Sequence, residues 1–281
     1  MKKVFTSFII YLLSLFLLLT ICRVLLFFLP GNVHLEEYQT IQITHQHDYL
    51  HSWVEPQLTI FQAVTRGLDT TLQLGLLSLF FSYLLAFVFT LLVFRSSSWI
   101  KKIIMQSTMV LISLPTLFIA PILIYLFVFR FNLLPAGELN VWQSYLLPIF
   151  VLMIRPTIHL FRMMRSQLID LYDQPFIIVA RAKGLSQTQL FVRHLIPHLV
   201  IPVIAYSPQM IISIVSGSFV VETLFAIPGA GFNLIKSMEG RDYPVILSYV
   251  FLWGGILLLL SRIAEMTIHF LDPRRSREVF K

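Results

Sequence analysis

The chain has 281 residues, 57% of them hydrophobic and 12% charged, with a mean hydropathy of +0.81 and a formal net charge of +7. A soluble domain carries about 25% charged residues, so this composition excludes an ordinary water-soluble globule and identifies a multi-pass membrane protein. The basic residues lie scattered in short segments between apolar runs, so the membrane accounts for the positive charge better than a nucleic-acid partner does.

A spanning helix needs about 20 mostly apolar residues to cross roughly 30 Å of hydrocarbon. The sequence predicts six, at about 5–29, 68–94, 103–129, 143–165, 199–222 and 245–269. The first follows Lys2 and Lys3 and runs on to Leu29 without a small-residue cleavage site. It reads as a retained helix rather than a signal peptide. The lone cysteine, Cys22, lies within it and has no intrachain partner.

Segment 30–67 is polar and opens with Pro30-Gly31, a helix stop. It carries His34, His45, His47 and His51, and His47 and His51 are spaced i, i+4. Imidazole suits nickel or zinc, although polar loops also collect histidines that bind nothing.

Topology follows from lysine and arginine near the span ends. Lys2, Lys3, Arg95, Lys101, Lys102, Arg165, Arg181, Lys183, Arg193 and the tail Arg274, Arg275, Arg277 and Lys281 mark one side. Glu36, Glu37, Asp48, Glu55, Glu138, Glu239 and Asp242 mark the other. The positive-inside rule places both termini in the cytoplasm.

Pro115, Pro121, Pro148, Pro156, Pro202 and Pro208 fall within the spans. They suggest kinked helices around a path, with a tolerated kink in a structural bundle as the alternative for any one of them. Arg155 and His159 share a face of the fourth span, and either line a pathway or snorkel to the cytoplasmic interface. Trp53, Trp99 and Trp142 read as interfacial anchors.

The cytoplasmic segment from about Ser166 to His198 has more structure than topology requires. Gln167 to Gln174 can continue the fourth span as an amphipathic helix. Pro175 suits the first turn of a new helix, over Phe176 to Lys183, with Ile177, Ala180 and Arg181 at i, i+3, i+4. Gly184 suits the left-handed position that ends such a helix. Ser186 is a good N-cap for a second helix through Gln189 and Val192 to Leu195. Arg181 and Lys183 alone would be topology signals. The run Ala180-Arg181-Ala182-Lys183-Gly184-Leu185-Ser186, followed by Arg193-His194 and Pro197-His198, describes a compact elbow instead.

These residues resemble the EAA loop of ABC importer permeases, in the form carried by the dipeptide, oligopeptide and nickel branch. The resemblance extends over most of the chain. Leu29-Pro30-Gly31-Asn32, Thr71-Leu72-Gln73-Leu74-Gly75-Leu76, Ser113-Leu114-Pro115-Thr116-Leu117-Phe118 and Leu134-Pro135-Ala136-Gly137 occur in the family's order. Val221-Glu222-Thr223-Leu224-Phe225-Ala226-Ile227-Pro228-Gly229-Ala230-Gly231, Arg241-Asp242-Tyr243-Pro244-Val245 and Leu271-Asp272-Pro273-Arg274 complete it. Three features depart from the pattern: Ile178 replaces the glutamate that names the motif, segment 30–67 is short, and Arg155-Pro156 is unexpected in the fourth span.

The resemblance implies an all-α membrane protein with six transmembrane helices, forming a single type I ABC importer transmembrane domain over 1–281. It implies that the subunit does no chemistry and binds no cofactor, ATP and Mg being used by partner subunits. Those partners are a second, homologous permease subunit in a heterodimer, two cytoplasmic ATP-binding subunits and an extracytoplasmic substrate-binding protein, all at the bacterial inner membrane. Ala180, Arg181, Ala182, Lys183, Gly184, Leu185, Ser186, Arg193, His194 and Pro197 would then couple to the ATPase. Glu222, Pro228, Gly229 and Gly231 would shape an outer turn and gate, although Glu222 also suits a helix end at the water interface. Short peptides are the implied cargo, with nickel or another metal complex as the alternative. A secondary transporter or channel would show an inverted repeat or intramembrane acid relays, and the sequence has neither.

Overall fold

The computed structural model describes residues 11–17, 20, 21, 24, 51, 52, 54, 55, 57–135 and 141–271. The described residues are almost wholly helical, with an isolated β-bridge between His51 and Thr59. Thr59 opens α1 (Ile60–Thr65) with a capping box, exchanging side-chain-to-backbone hydrogen bonds with Gln62. Gly67, at φ +76°, turns the chain into α2 (Leu68–Arg95). Asp69 in the first turn of α2 and Arg95 in its last complement the helix dipole.

The expected third span, 103–129, is not one rod. It comprises α3 (Ser98–Ser113), α4 (Thr116–Ile124) and a π-helical turn, Tyr125–Arg130. Leu114 and Pro115 between them are extended, at ψ 125° and 141°. Proline disfavours the helical region for the residue before it, and the two helical pieces meet at a bend of 101°.

A 3-10 turn (Trp142–Tyr145) leads into α5 (Leu146–Tyr172). Then come α6 (Pro175–Ala182), α7 (Gln187–Leu190), a π-helical turn (Phe191–Leu195) and α8 (Ile196–Leu224). The last two helices are α9 (Ala230–Glu239) and α10 (Tyr243–Leu271). Among the described residues, four stretches are long and apolar enough to cross a membrane: Ile60–Arg95, Trp142–Tyr172, Gln187–Leu224 and Tyr243–Ile263. The bent pair adds a fifth if it counts as one span. The expected first span lies mostly outside the described residues, although 11–17 are helical.

The chain divides into two compact units, Met1–Thr71 with Pro228–Leu260 and Leu72–Ile227 with Ser261–Lys281. In the second, α5 is the central helix, with buried side chains from Leu147 through Leu152, Ile158 and Phe161 to Leu168. Its first half packs with Leu74 of α2, Ile119 and Ala120 of α4, and Val221 of α8. Its second half packs with Ala86 and Val93 of α2 and with Leu195, Leu199 and Met210. Between helices solvated by lipid, close packing replaces escape from water as the driving force. Small residues permit it: a Cβ on Gly217 would lie 3.3 Å from the Leu152 side chain. Two α2 hydroxyls are satisfied locally, Ser82 donating to the Ser78 carbonyl and Thr90 to that of Ala86, each at 2.7 Å.

In the first unit, α1 and its exit turn are tied to α9 and α10. Tyr249 donates its hydroxyl to the Ala63 carbonyl at 3.1 Å, and Asn233 donates its amide to that of Arg66 at 2.9 Å.

Candidate functional site

The elbow forms as its sequence dictates. Pro175 sits in the first turn of α6, with Gln174 as the extended N-cap residue. α6 ends in a Schellman motif: Leu185 N–H donates to the Ala180 carbonyl at 3.4 Å, and Gly184 N–H to that of Arg181 at 2.8 Å. Gly184 holds the left-handed position at φ +79°. Ser186 and Gln189 then form a capping box at 3.0 and 3.3 Å that opens α7. The expected second helix does not stop at Leu195. A widened π turn leads directly into α8, with Pro197 in its first turn. That widening suits a proline, which lacks the N–H for the carbonyl four residues back.

The elbow is welded to three long helices. Ile177 and Ala180 of α6, together with Leu190, Phe191 and Leu195, join the core that holds Phe161 and Met164 of α5 and Ala86 and Val93 of α2. The Phe94 ring packs against Tyr172 at 6.0 Å and Phe191 at 5.0 Å. Arg95 donates to the Thr188 hydroxyl at 3.0 Å, and the Phe176 ring lies 4.9 Å from that of His198. Arg181 folds its guanidinium over the Tyr172 ring at 3.5 Å and donates to the Tyr172 carbonyl at 3.3 Å.

One expected docking residue is corrected here. Ala180 is 4% exposed and faces the core, so its small size serves the approach of α6 to its own neighbours. Leu185 also packs partly inward. Arg181, Ala182, Lys183, Gly184, Ser186, Arg193 and Pro197 are exposed, and His194 is half-buried. Ile178 and Val179 are exposed beside them at 56% and 53%. An apolar patch rimmed by basic side chains is the surface this elbow presents. Sequence reasoning passed over Val179, although the exposed positions of a short amphipathic helix could have signalled it.

The segment after α8 is built on backbone contacts. Glu222 lies in the last turn of α8 and is fully buried, which overturns the reading of it as a water-exposed helix end. α8 closes with a second Schellman motif, Ile227 N–H to the Glu222 carbonyl at 2.8 Å, with Ala226 at φ 52°. Gly67 packs against Pro228 and Gly229 so closely that a Cβ there would meet the Pro228 carbonyl oxygen at 2.5 Å. Thr71 Oγ1 accepts the Ala230 N–H at 2.8 Å and so caps the start of α9. Gly229, Ala230 and Gly231 are buried. Asp242, also buried, accepts a short hydrogen bond from the Ser52 hydroxyl and one of 3.4 Å from the Val54 N–H.

Arg155 and His159 are exposed on one face of α5, among buried Ile154, Pro156, Thr157, Ile158 and Leu160. His45 and His47 lie outside the described residues, and His51 is half-buried in its bridge to Thr59. Trp99 and Trp142 are strongly exposed, as interfacial anchors would be, and Trp53 lies outside the described residues.

Residues 78–277 match the family described as binding-protein-dependent transport system inner membrane component. The chain belongs to this family and is a multi-pass protein of the inner membrane. Among its similar relatives are dipeptide, oligopeptide and nickel permeases. It is 29% identical to the dipeptide transport system permease protein of Bacillus subtilis over 228 residues, 81% of this chain and 74% of that protein. It is 28% identical to the oligopeptide transport system permease protein of Haemophilus influenzae over 75% of this chain and 70% of that protein. The nickel import system permease protein of Staphylococcus aureus is 28% identical over 64% of this chain and 54% of its own length.

Proposed function

We propose that this chain is one permease subunit of an ATP-driven importer for short peptides, coupled through its elbow to a cytoplasmic ATPase. The observation that carries this reading is the construction of the elbow. It is capped at both helix junctions, fused to α2, α5 and α8, and exposes an apolar and basic patch. A motor and a gate couple through an element that moves as a unit, and these contacts suit that role. Exposed Ile178 and Val179 would seat in a groove on the ATPase, while Lys183 and Arg193 would meet acidic groups at its rim.

In this reading six helices, with both termini cytoplasmic, form a single type I transmembrane domain over 1–281. The chain makes half of the pathway and a second homologous permease the other half. Two ATP-binding subunits use ATP and Mg, a binding protein delivers substrate from outside, and this subunit itself binds no cofactor. Pro228, Gly229 and Gly231, with buried Glu222, would shape the outer gate. Peptides are preferred to nickel because the two peptide-permease relatives align over 81% and 75% of the chain and the nickel permease over 64%.

The test is to purify the tagged chain from its native membrane and identify what accompanies it. A second permease and ATP-binding subunits should co-purify, and the complex in vesicles should take up labelled dialanine when ATP is supplied. Purification without an ATPase would remove the reading, and uptake of nickel without dialanine would replace peptide by metal.

A further inference from the structure

The exposed face of α5 carries charge where lipid would not tolerate it. The most apolar window of Trp142–Tyr172 is 67% buried, against 28%, 17% and 22% for the other three membrane-capable stretches. Arg155, His159 and Arg162 nevertheless reach the surface, with Arg162 half-buried. Their i, i+4, i+7 spacing makes one stripe. Between them Ile154, Pro156, Thr157, Ile158, Leu160 and Phe161 are buried. None of the three charged or titratable side chains has a hydrogen-bond or ion-pair partner among the described residues.

Their depth follows from a contact with α2. The Ser82 hydroxyl approaches the Met153 carbonyl at 3.4 Å, and Ser82 lies at the middle of α2, midway between charged Asp69 and Arg95. Arg155 therefore sits near the bilayer centre. A rise of 1.5 Å per residue places His159 about 6 Å and Arg162 about 10 Å farther along. Roughly 15 Å of hydrocarbon separates the centre from either headgroup region, farther than the Arg155 side chain reaches, whereas Arg162 lies about 5 Å from that region and joins the stripe by its spacing. An ionisable residue at that depth faces a water-filled passage or a partner rather than lipid.

The neighbouring α8, whose Gly217 lies against Leu152, carries a neutral polar stripe over the same levels. Tyr206, Gln209, Ser213 and Ser216 recur at one-face spacing, with Gln209 and Ser216 exposed. Glu222, the only acid of α8, is buried near its far end, and the nearest acid on α5 is Asp170. The field of the stripe is therefore positive. Guanidinium groups pair with carboxylates through two parallel hydrogen bonds, whereas a free divalent cation would meet only repulsion.

We propose that Arg155, His159 and Arg162 form a cationic track in the passage that receives the carboxylate of a small organic substrate and turns away free metal cations. The proposal rests on the permease reading above and names the substrate chemistry of its pathway.

The test has one arm that needs neither substrate nor ATPase. In the complete transport complex, with Cys22→Ser removing the native thiol, His159→Cys is labelled by anionic sulfonatoethyl and cationic trimethylammonioethyl methanethiosulfonate. Corrected for intrinsic reactivity, the anionic reagent should react about tenfold faster, and Arg155→Gln should remove most of that preference. A thiol that neither reagent reaches, as when the face meets lipid or its headgroups, overturns the track. So does the absence of a preference for the anion.

The second arm is uptake. Arg155→Gln should lower uptake of labelled dialanine about tenfold while changing uptake of dialanine amide less than about twofold. Equal losses for both, or nickel uptake without dialanine uptake, overturn the carboxylate assignment. Loss of the ATPase from the purified complex with labelling intact would instead remove the permease reading and leave the track standing.

Discussion

Gly67→Ala is expected to unfold roughly 10 °C below the wild-type protein in a detergent thermal melt. Two costs add at this position. Gly67 has φ +76°, a conformation that costs a residue with a Cβ about 1–2 kcal/mol. The added atom would also stand 2.5 Å from the Pro228 oxygen and 2.7 and 2.8 Å from Gly229 C and Cα. Those are backbone atoms held by the hydrogen bonds of Thr71 to Ala230 and Asn233 to Arg66, so they cannot step aside singly. Overpacking of this kind costs about 1–3 kcal/mol more. Gly184→Ala separates the terms, because Gly184 has φ +79° but nothing within 4 Å of a Cβ. It should lose only the conformational part, and equal losses at the two glycines would show that the close approach at Gly67 is unimportant.

Ile177→Ala is expected to release α6 from the long helices. Ile177 is fully buried, and truncating such a side chain costs about 2–5 kcal/mol in transfer and cavity terms. α6 has eight residues, too few to stay helical without the face it buries. Hydrogen exchange read by mass spectrometry should show amides 177–182 exchanging at least about tenfold faster, with the middle of α5 unchanged. Unaltered protection in α6 would mean that the elbow stands without its anchor.

The elbow was legible because its signals are local. Pro175, Gly184 and the Ser186–Gln189 pair each state their backbone role within four residues. Two other helix ends use the same terminal geometry with no such signal. Ala226 at φ 52° ends α8, and Arg241 at φ 57° ends α9, where Asp242 N–H donates to the Ser237 carbonyl at 2.9 Å. Glycine stands beside that position, at Gly240, but in the right-handed region.

The same limit explains the inward turn of Ala180. Spacing groups Ile177, Ala180 and Arg181, but only the position of α5 decides which edge of that group is covered. Pro115 was visible as a breaker, but whether a proline kinks a span or divides it depends on the packing around it. The hydrogen bond from Ser52 to Asp242 joins residues 190 positions apart and leaves no periodic trace. The family's order of short motifs conveyed the inner-membrane transport class, because it samples the whole chain rather than one element.

The coupling role of the elbow is tested most directly by reversing its exposed charge without touching its anchor. The double variant Lys183→Glu with Arg193→Glu should melt within about 2 °C of wild type, since both side chains are exposed and exposed substitutions change stability little. It should nevertheless lose the co-purifying ATPase and ATP-driven uptake together. If the double variant keeps both the bound ATPase and wild-type uptake, these side chains do not form the docking surface and the coupling account is wrong.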